Sequence, residues 1–279
     1  TTPGYDGGAI SYSTITAGSY NHIINASYSG IFAGNSNIIL ADGAGYSVIV
    51  GGWVNEVSKS NYSLVGGGVG NVVELSNYSA ITAGSSSRIE NADYSFIGGG
   101  ASGSILLECD YSAIVGGLNS TIQKGEGGSS YYGFVGGGLN SKIDDSDYAG
   151  ITGGRDSLVI QSNYAFLGGG QNNTLTNAEH SSIVAGDNNS IENSSGSFIG
   201  GGREHEVANS VSSVLAGGID NTMTDAGFSA IVGGQANYIT NARHSAIVAG
   251  ERSKIINSSG SFIGAGKRSD HTSLGLVDR

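Results

Sequence analysis

A single sixteen-residue unit recurs along the chain and constrains the fold more than any other feature. Residues 62–77 read YSLVGGGVGNVVELSN, and taking Tyr62 as position 1 of the repeat places Gly68 at position 7. Twelve of the fifteen spacings between successive position-7 glycines are 16 residues, and the others are 18, 17 and 21. Tandem units of this length indicate stacked coils. Sixteen glycines define the copies: Gly18, Gly34, Gly52, Gly68, Gly84, Gly100, Gly117, Gly138, Gly154, Gly170, Gly186, Gly202, Gly218, Gly234, Gly250 and Gly266.

Two apolar positions in each copy indicate two short strands. Position 4 is aliphatic in every copy, from Ile15 to Ile263, and position 12 is aliphatic or Met until His271 replaces it in the last copy. Gly-rich and Asn/Ser-rich turns separate these positions, which predicts an all-β parallel β-solenoid of about 16 coils with two strands each. An array of helices is disfavoured, because each of the 49 glycines would cost a helix about 1 kcal/mol relative to Ala.

The repeat also sets the expected domain organisation. Residues 1–8 form an N-terminal lead-in, residues 9–271 a single β-roll repeat domain, and residues 272–279 a C-terminal tail. The net charge of -11 argues against nucleic acid as a partner. Cys109 is the only cysteine, and no apolar run is long enough to insert into a membrane, so neither an intrachain disulfide nor membrane insertion is expected.

The first strand of each coil carries no charge, unlike the second. No Asp, Glu, Lys or Arg occupies positions 1 to 7 of any copy, whereas positions 11 and 13 are often charged. Side chains at positions 3 and 5 point away from the coil interior, so we expect a partner chain to cover them in a homo-oligomer. Wherever position 3 is Phe or Leu, position 5 is glycine, as a close-packed interface requires. These predicted interface pairs are Leu64/Gly66, Phe96/Gly98, Phe134/Gly136, Phe166/Gly168, Phe198/Gly200 and Phe262/Gly264.

The units SAIVGG, YSFIGGG and GGxNxI carry a family resemblance over roughly residues 9–271. They resemble the head repeats of YadA-type trimeric autotransporter adhesins and, more closely, the Gly-rich repeats of phage tail fibres. The resemblance implies a left-handed β-roll, a homotrimer, and extracellular attachment to a cell-surface receptor, glycan or protein. The SVAIG unit of YadA is not matched and no adhesin neck motif follows Gly266. A virion tail fibre and a bacterial surface adhesin therefore both stay open.

The outer turn that precedes position 1 is the candidate receptor-binding region. All three length changes fall there, at residues 41–45, 107–110 and 124–131. A turn that tolerates insertion lies on the outside of a solenoid, and aromatic side chains supply contact area there. Neutral drift of a surface loop explains the insertions equally well. The candidate receptor contacts are Trp53, Lys124, Glu126, Tyr131 and Tyr132.

Position 1 is tyrosine in the first ten copies, from Tyr12 to Tyr164. The last six copies carry His, Gly, Ser, Phe, His and Gly instead. Identical aromatic residues in successive coils predict a stacked ladder at a corner. A sugar-binding platform is the alternative interpretation, and the change after Tyr164 indicates that the two halves present different surfaces.

Four acids crowd the outer turn: Glu74 and Glu90 share position 13, and Asp93 and Asp110 share position 16. Carboxylates in adjacent coils are candidates for cation or glycan contacts, or for a glycosidase pair. A solubilising face is the simpler interpretation, so no enzyme is expected. We expect no metal and no cofactor, and Glu204-His205-Glu206 is interpreted as a solvated run.

Attachment of a fibre head to a receptor is the leading functional hypothesis. Its alternatives are a bacterial adhesin head, a passive spacer within a fibre, and a polysaccharide depolymerase carried on a solenoid.

Overall fold

The computed structural model describes residues 12–40, 45–125, 128 and 130–272, and these ranges contain β-strands and no helix. The chain divides into two compact units, Thr1–Tyr148 and Ala149–Arg279. In the first unit, the odd-numbered strands form one parallel sheet: β1 (Thr14–Ile15), β3 (Gly30–Ile31), β5 (Val48–Ile49), β7 (Leu64–Val65), β9 (Ala80–Ile81), β11 (Phe96–Ile97), β13 (Ala113–Ile114) and β15 (Phe134–Val135). The even-numbered strands form another: β2 (His22–Ile24), β4 (Ile38–Leu40), β6 (Glu56–Ser58), β8 (Val72–Glu74), β10 (Arg88–Glu90), β12 (Ser104–Leu106), β14 (Thr121–Gln123) and β16 (Lys142–Asp144).

The second unit repeats this arrangement. Its odd-numbered strands are β17 (Gly150–Ile151), β19 (Phe166–Leu167), β21 (Ser182–Ile183), β23 (Phe198–Ile199), β25 (Val214–Leu215), β27 (Ala230–Ile231), β29 (Ala246–Ile247) and β31 (Phe262–Ile263). Its even-numbered strands are β18 (Leu158–Ile160), β20 (Thr174–Thr176), β22 (Ser190–Glu192), β24 (Glu206–Ala208), β26 (Thr222–Thr224), β28 (Tyr238–Thr240), β30 (Lys254–Ile256) and β32 (Asp270–Thr272).

Each strand pairs in parallel with the equivalent strand one coil away. Ile97 lies opposite Ile81 and Ile114, and Ile89 lies opposite Val73 and Ile105, so identical repeat positions stack in register. The predicted parallel β-solenoid of about sixteen two-stranded coils is therefore confirmed.

Aliphatic side chains at positions 4 and 12 form the core. Ile97 and Ile89 are fully buried, and so are their equivalents through most of the described coils. Burying one such side chain contributes about 1.5 to 3 kcal/mol, and each coil supplies only two. His271, which occupies position 12 of the last coil, is exposed, so the core ends there as the sequence indicates.

Buried polar side chains hold the turns of neighbouring coils together. Asn71 Nδ2 at position 10 donates to the carbonyl oxygens of Gly67 and Gly84 at 2.9 and 3.1 Å, and its Oδ1 accepts the N–H of Ser87. Ser79 Oγ at position 2 donates to the Ala92 carbonyl at 3.0 Å. Because these side chains satisfy turn groups that would otherwise be buried without partners, the register from coil to coil is fixed.

The coil turns through residues with positive φ. In the fourth coil these are Tyr62, Gly68, Gly70 and Leu75, with φ of 55°, 92°, 65° and 51°. A Cβ added at Gly68 would lie 2.1 Å from the carbonyl oxygen of Gly84 in the next coil. Position 7 therefore requires glycine both for its backbone conformation and for close approach between coils.

Candidate functional site

The odd-numbered strands expose a charge-free surface in each unit. At positions 3 and 5 the side chains face outward, and Val115 and Val232 are both 49% exposed. We call this surface the apolar stripe. Its large exposed members are Phe32, Val50, Phe96, Val115 and Phe134 in the first unit, and Phe166, Val184, Phe198, Val214, Val232, Val248 and Phe262 in the second. The structure thus confirms that the first strand leaves apolar side chains uncovered by its own chain.

The position-5 glycines sit beneath the bulky side chains of this stripe. A Cβ at Gly98 or Gly200 would lie 3.2 Å from the ring of Phe96 or Phe198, and one at Gly168 or Gly264 would lie at 3.3 or 3.4 Å from its own coil's ring. The tighter constraint on Gly98, Gly168 and Gly200 is the backbone of the next coil.

Gly66 shows this constraint most clearly. A Cβ there would lie 2.3 Å from the carbonyl oxygen of Thr82, and Leu64 is not among its nearest neighbours. The backbone of the adjacent coil is therefore the closest constraint on this residue. Gly136 occupies the same repeat position, directly after β15.

Tyrosine rings form a continuous ladder in the first unit, as predicted. Neighbouring ring centroids lie 4.7 to 5.2 Å apart and the ring planes differ by 2° to 19°. Tyr62 is 50% exposed, and the other rings from Tyr28 to Tyr148 are exposed to a similar extent. In the second unit, Tyr164 stacks with His180 and Phe228 with His244. The ladder comprises Tyr12, Tyr28, Tyr46, Tyr62, Tyr78, Tyr94, Tyr111, Tyr132 and Tyr148.

The candidate receptor contacts fall into two places. Lys124 Nζ pairs with Glu108 Oε2 at 2.6 Å, which raises the pKa of the lysine, and Tyr132 stands in the tyrosine ladder. Tyr131 N–H donates to Asp147 Oδ1 at 2.8 Å. Trp53, 57% exposed, lies four coils earlier at position 8, roughly 19 Å away along the stack. Glu126 lies outside the described residues.

Structural partners engage all four candidate acids of the outer turn. Arg88 bridges Glu74 and Glu90 at 2.7 Å each, and its hydrogen bond to Glu90 is the main reason that the pKa of Arg88 is raised. Asp93 Oδ1 accepts the backbone N–H of Asn77 at 2.6 Å, and Asp110 Oδ1 accepts that of Asp93 at 2.7 Å. Asp93 and Asp110 therefore belong to a hydrogen-bonded ladder at the turn, and Glu74 and Glu90 share the single positive charge of Arg88.

Cys109, the only cysteine of the chain, is a candidate nucleophile and lies in a buried site. Burial raises the pKa of Cys109 to about 12, and its Sγ donates to the Leu106 carbonyl, so the thiol stays protonated at neutral pH. No three His, Cys, Asp or Glu side chains come together as a metal site within the described ranges. Nor do the described residues include a helix with the length and apolarity needed to cross a bilayer.

His205 does not belong to a solvated run, and that interpretation was wrong. It is only 1% exposed, because it occupies position 10, which is also buried at Asn189 and Asn221 in the neighbouring coils. His205 Nδ1 accepts the N–H of Asn221 at 3.2 Å, while the buried Nε2 makes no hydrogen bond of regular geometry. Burial lowers the pKa of this imidazole. The asparagines at position 10 of neighbouring copies were the signal for an inward residue.

A shallow groove in the second unit was not anticipated from the sequence. It lies between the columns of position-9 and position-11 side chains, in the region where the sequence shows an excess of bases after residue 243. Its lining residues are Asp220, Gln235, Ala236, Tyr238, Arg252, Lys254, Arg268 and Asp270.

Comparison with known proteins does not identify this chain. No family model matches it, and no curated protein matches it. Functional inference therefore rests on the surfaces described above and on the resemblance carried by the repeat units.

Proposed function

We propose that this chain is the repeat head of an extracellular homotrimeric fibre that attaches to a receptor on a host cell, as a tail fibre does. A bacterial adhesin head would use the same surfaces. The observation that carries the proposal is the apolar stripe, which is exposed and free of charge in both units.

Two physical arguments support burial of the stripe against other copies of the chain. Monomeric proteins rarely expose contiguous apolar surface of this kind, because it promotes association. The coil interior also holds only two large aliphatic side chains, at positions 4 and 12, so a single chain has a thin core. Covering one valine or phenylalanine of the stripe adds up to about 1.5 to 3 kcal/mol. The number of chains comes from the family resemblance, which implies three.

Assembly is tested by placing a charge on the stripe. Val115→Asp and Val232→Asp insert a carboxylate at position 5 of each unit, and Thr121→Asp and Thr222→Asp are matched controls on the even-numbered strands. We expect wild type and controls to sediment as three chains of 28.1 kDa, about 84 kDa, and the stripe variants to dissociate with unchanged circular dichroism. Wild type sedimenting as one chain at every concentration would refute the proposed assembly.

Attachment is tested on the same preparations by binding of labelled protein to cells. Deletion of residues 125–129 restores a sixteen-residue coil and retains Ser130, whose Oγ donates to the Gln123 carbonyl and accepts the N–H of Ser146. Removing 124–131 instead would break this hydrogen-bonded turn. We expect the shorter deletion to reduce cell binding at least tenfold while the trimer persists. An assembled wild type that binds no cells would instead identify a passive spacer.

A further inference from the structure

The groove of the second unit arises from the alternation of side chains around one corner of the coil. Positions 9 and 11 point outward, whereas Asn237 and Ser253 at position 10 are buried between them. The position-9 residues Ala236 and Arg252 have φ of 52° and 58°, so the chain turns there. The small side chain of Ala236 leaves space between Asp220 and Arg252. The resulting volume of about 480 Å³ is within the range of ligand sites.

The cations of this groove differ in their pairing from Arg88 and Lys142, which occupy position 11 in the first unit. In the first unit, Arg88 pairs with Glu74 and Glu90 at 2.7 Å, and Lys142 with Asp144 at 2.8 Å. These short pairs leave little charge available to a ligand.

In the groove, Arg252 reaches Glu251 only at 3.6 Å, which is too long for a hydrogen bond. Lys254 and Arg268 form no ion pair with a carboxylate of the described residues. Lys254 Nζ instead lies 5.9 Å from the centre of the Tyr238 ring. Three exposed cations thus face one volume without short carboxylate partners, although the chain as a whole has a net charge of -11.

The remaining groups of the groove narrow the chemistry of a ligand. Arginine guanidinium groups bind carboxylates through two parallel hydrogen bonds, and Arg252 and Arg268 occupy the same position in adjacent coils. Asp220 and Asp270 can accept hydrogen bonds from hydroxyl groups, and Tyr238 supplies an aromatic surface with a hydroxyl. A polyanion without hydroxyl donors would be repelled by both aspartates. A carboxylated saccharide, by contrast, can use all of these groups.

We propose that this groove binds an acidic saccharide, with the carboxylate of one sugar held by Arg252 and Arg268 and neighbouring hydroxyls by Asp220 and Asp270. This inference rests on the proposed function, because the acidic saccharide would be the cell-surface group to which the fibre attaches. Binding is measured on the purified full chain with no cells present. Failure of the groove is therefore distinguishable from failure of assembly or attachment.

The test is calorimetric titration with a galacturonic acid hexamer at physiological salt. We expect saturable binding that weakens at least tenfold in Arg252→Gln and in Arg268→Gln, and no binding of a neutral glucose hexamer. Arg203→Gln is the matched control, because it removes one exposed arginine outside the groove and should leave affinity unchanged. Circular dichroism and thermal unfolding confirm that each variant is folded.

Four outcomes would overturn the proposal. If the neutral glucose hexamer bound as tightly as the galacturonic acid hexamer, the carboxylate would not contribute to binding. An equal loss in Arg203→Gln would indicate non-specific attraction between charges. Binding of a sulfated glucose hexamer but not of the galacturonic acid hexamer would assign the groove to sulfate instead. Absence of any binding in wild type, with cell attachment intact, would refute the groove and leave the proposed function standing.

Discussion

The two units share their interior and differ on their surface. In both, positions 4 and 12 fill the core, and serine or asparagine ladders join the turns. Positions 8 and 9, however, carry no charged residue in the first unit, where position 8 includes Trp53, Val69 and Leu118. In the second unit the same positions carry charges of both signs, including Arg155 and Asp187. The inward positions thus specify the coil, and the corner positions are free to specify the surface.

Position 1 shows a second difference between the units. The first unit stacks nine tyrosines, although a non-glycine residue in the left-handed region costs about 1 to 2 kcal/mol. Each aromatic pair contributes about 0.5 to 1.5 kcal/mol, which offsets much of that cost. In the second unit Gly196 and Ser212 interrupt the column, so fewer rings support each other there.

The largest expected effect tests the interior that the units share. Gly68→Ala and Gly218→Ala each place a Cβ at 2.1 or 2.2 Å from the carbonyl oxygen of the next coil, at a φ of 92° or 108°. Strained backbone and overpacking together should lower the free energy of unfolding by about 2 to 6 kcal/mol in either unit. Thermal and denaturant unfolding followed by circular dichroism measure this loss.

Glycines at position 6 supply the matched controls: Gly67 precedes Gly68, and Gly233 lies in the coil that follows Gly218. A Cβ at Gly67 or Gly233, both at position 6, would meet nothing within 4 Å, so Gly67→Ala and Gly233→Ala should unfold like wild type. If Gly68→Ala were as stable as Gly67→Ala, close approach between coils would not be what requires glycine. If only one of the two variants were destabilised, position 7 would not have the same role in the two units.

The sequence predicted what repeats and missed what depends on neighbouring coils. The core positions, the position-7 corner and the tyrosine stack follow from residue type at a fixed period. The inward direction of His205 was missed because its charged neighbours suggested solvent, while its repeat position decided its burial. The contact of Gly66 with Thr82, and the position of Arg88 between Glu74 and Glu90, depend on how adjacent coils stack. The groove depends on which charges remain unpaired, and residue spacing does not reveal that.

A smaller effect tests the difference at position 1. Tyr94→Asn removes the ring that stacks on Tyr78 and Tyr111 at 4.9 Å, while asparagine tolerates the positive φ of this corner. Losing two aromatic pairs should lower the free energy of unfolding by about 1 to 3 kcal/mol. Tyr20→Asn is the matched control, because Tyr20 has a similar φ of 56° and stacks on no ring of the described residues. Equal losses in both variants would show that the ladder contributes nothing beyond the burial of one ring.

The smallest effect concerns the single histidine that replaces asparagine in the position-10 ladder of the second unit. Because burial lowers the pKa of His205, the unfolded chain takes up a proton first as the pH falls below about 6.5. The contribution of neutral His205 is therefore complete above that pH and is lost as the pH falls toward the depressed pKa of the folded state. His205→Asn supplies the residue found in adjacent coils and should remove this loss.

The measurement is the denaturant midpoint of wild type and His205→Asn at pH 7, 6 and 5. We expect the midpoint of the variant to rise relative to that of wild type as the pH falls. Only in wild type does unfolding expose an imidazole that takes up a proton more readily than it does in the folded coil. A constant difference between wild type and His205→Asn would mean that the imidazole is protonated within the folded coil. Position 10 would then tolerate a charged side chain. The rule that inward positions specify the coil while outward positions vary would not hold at this residue.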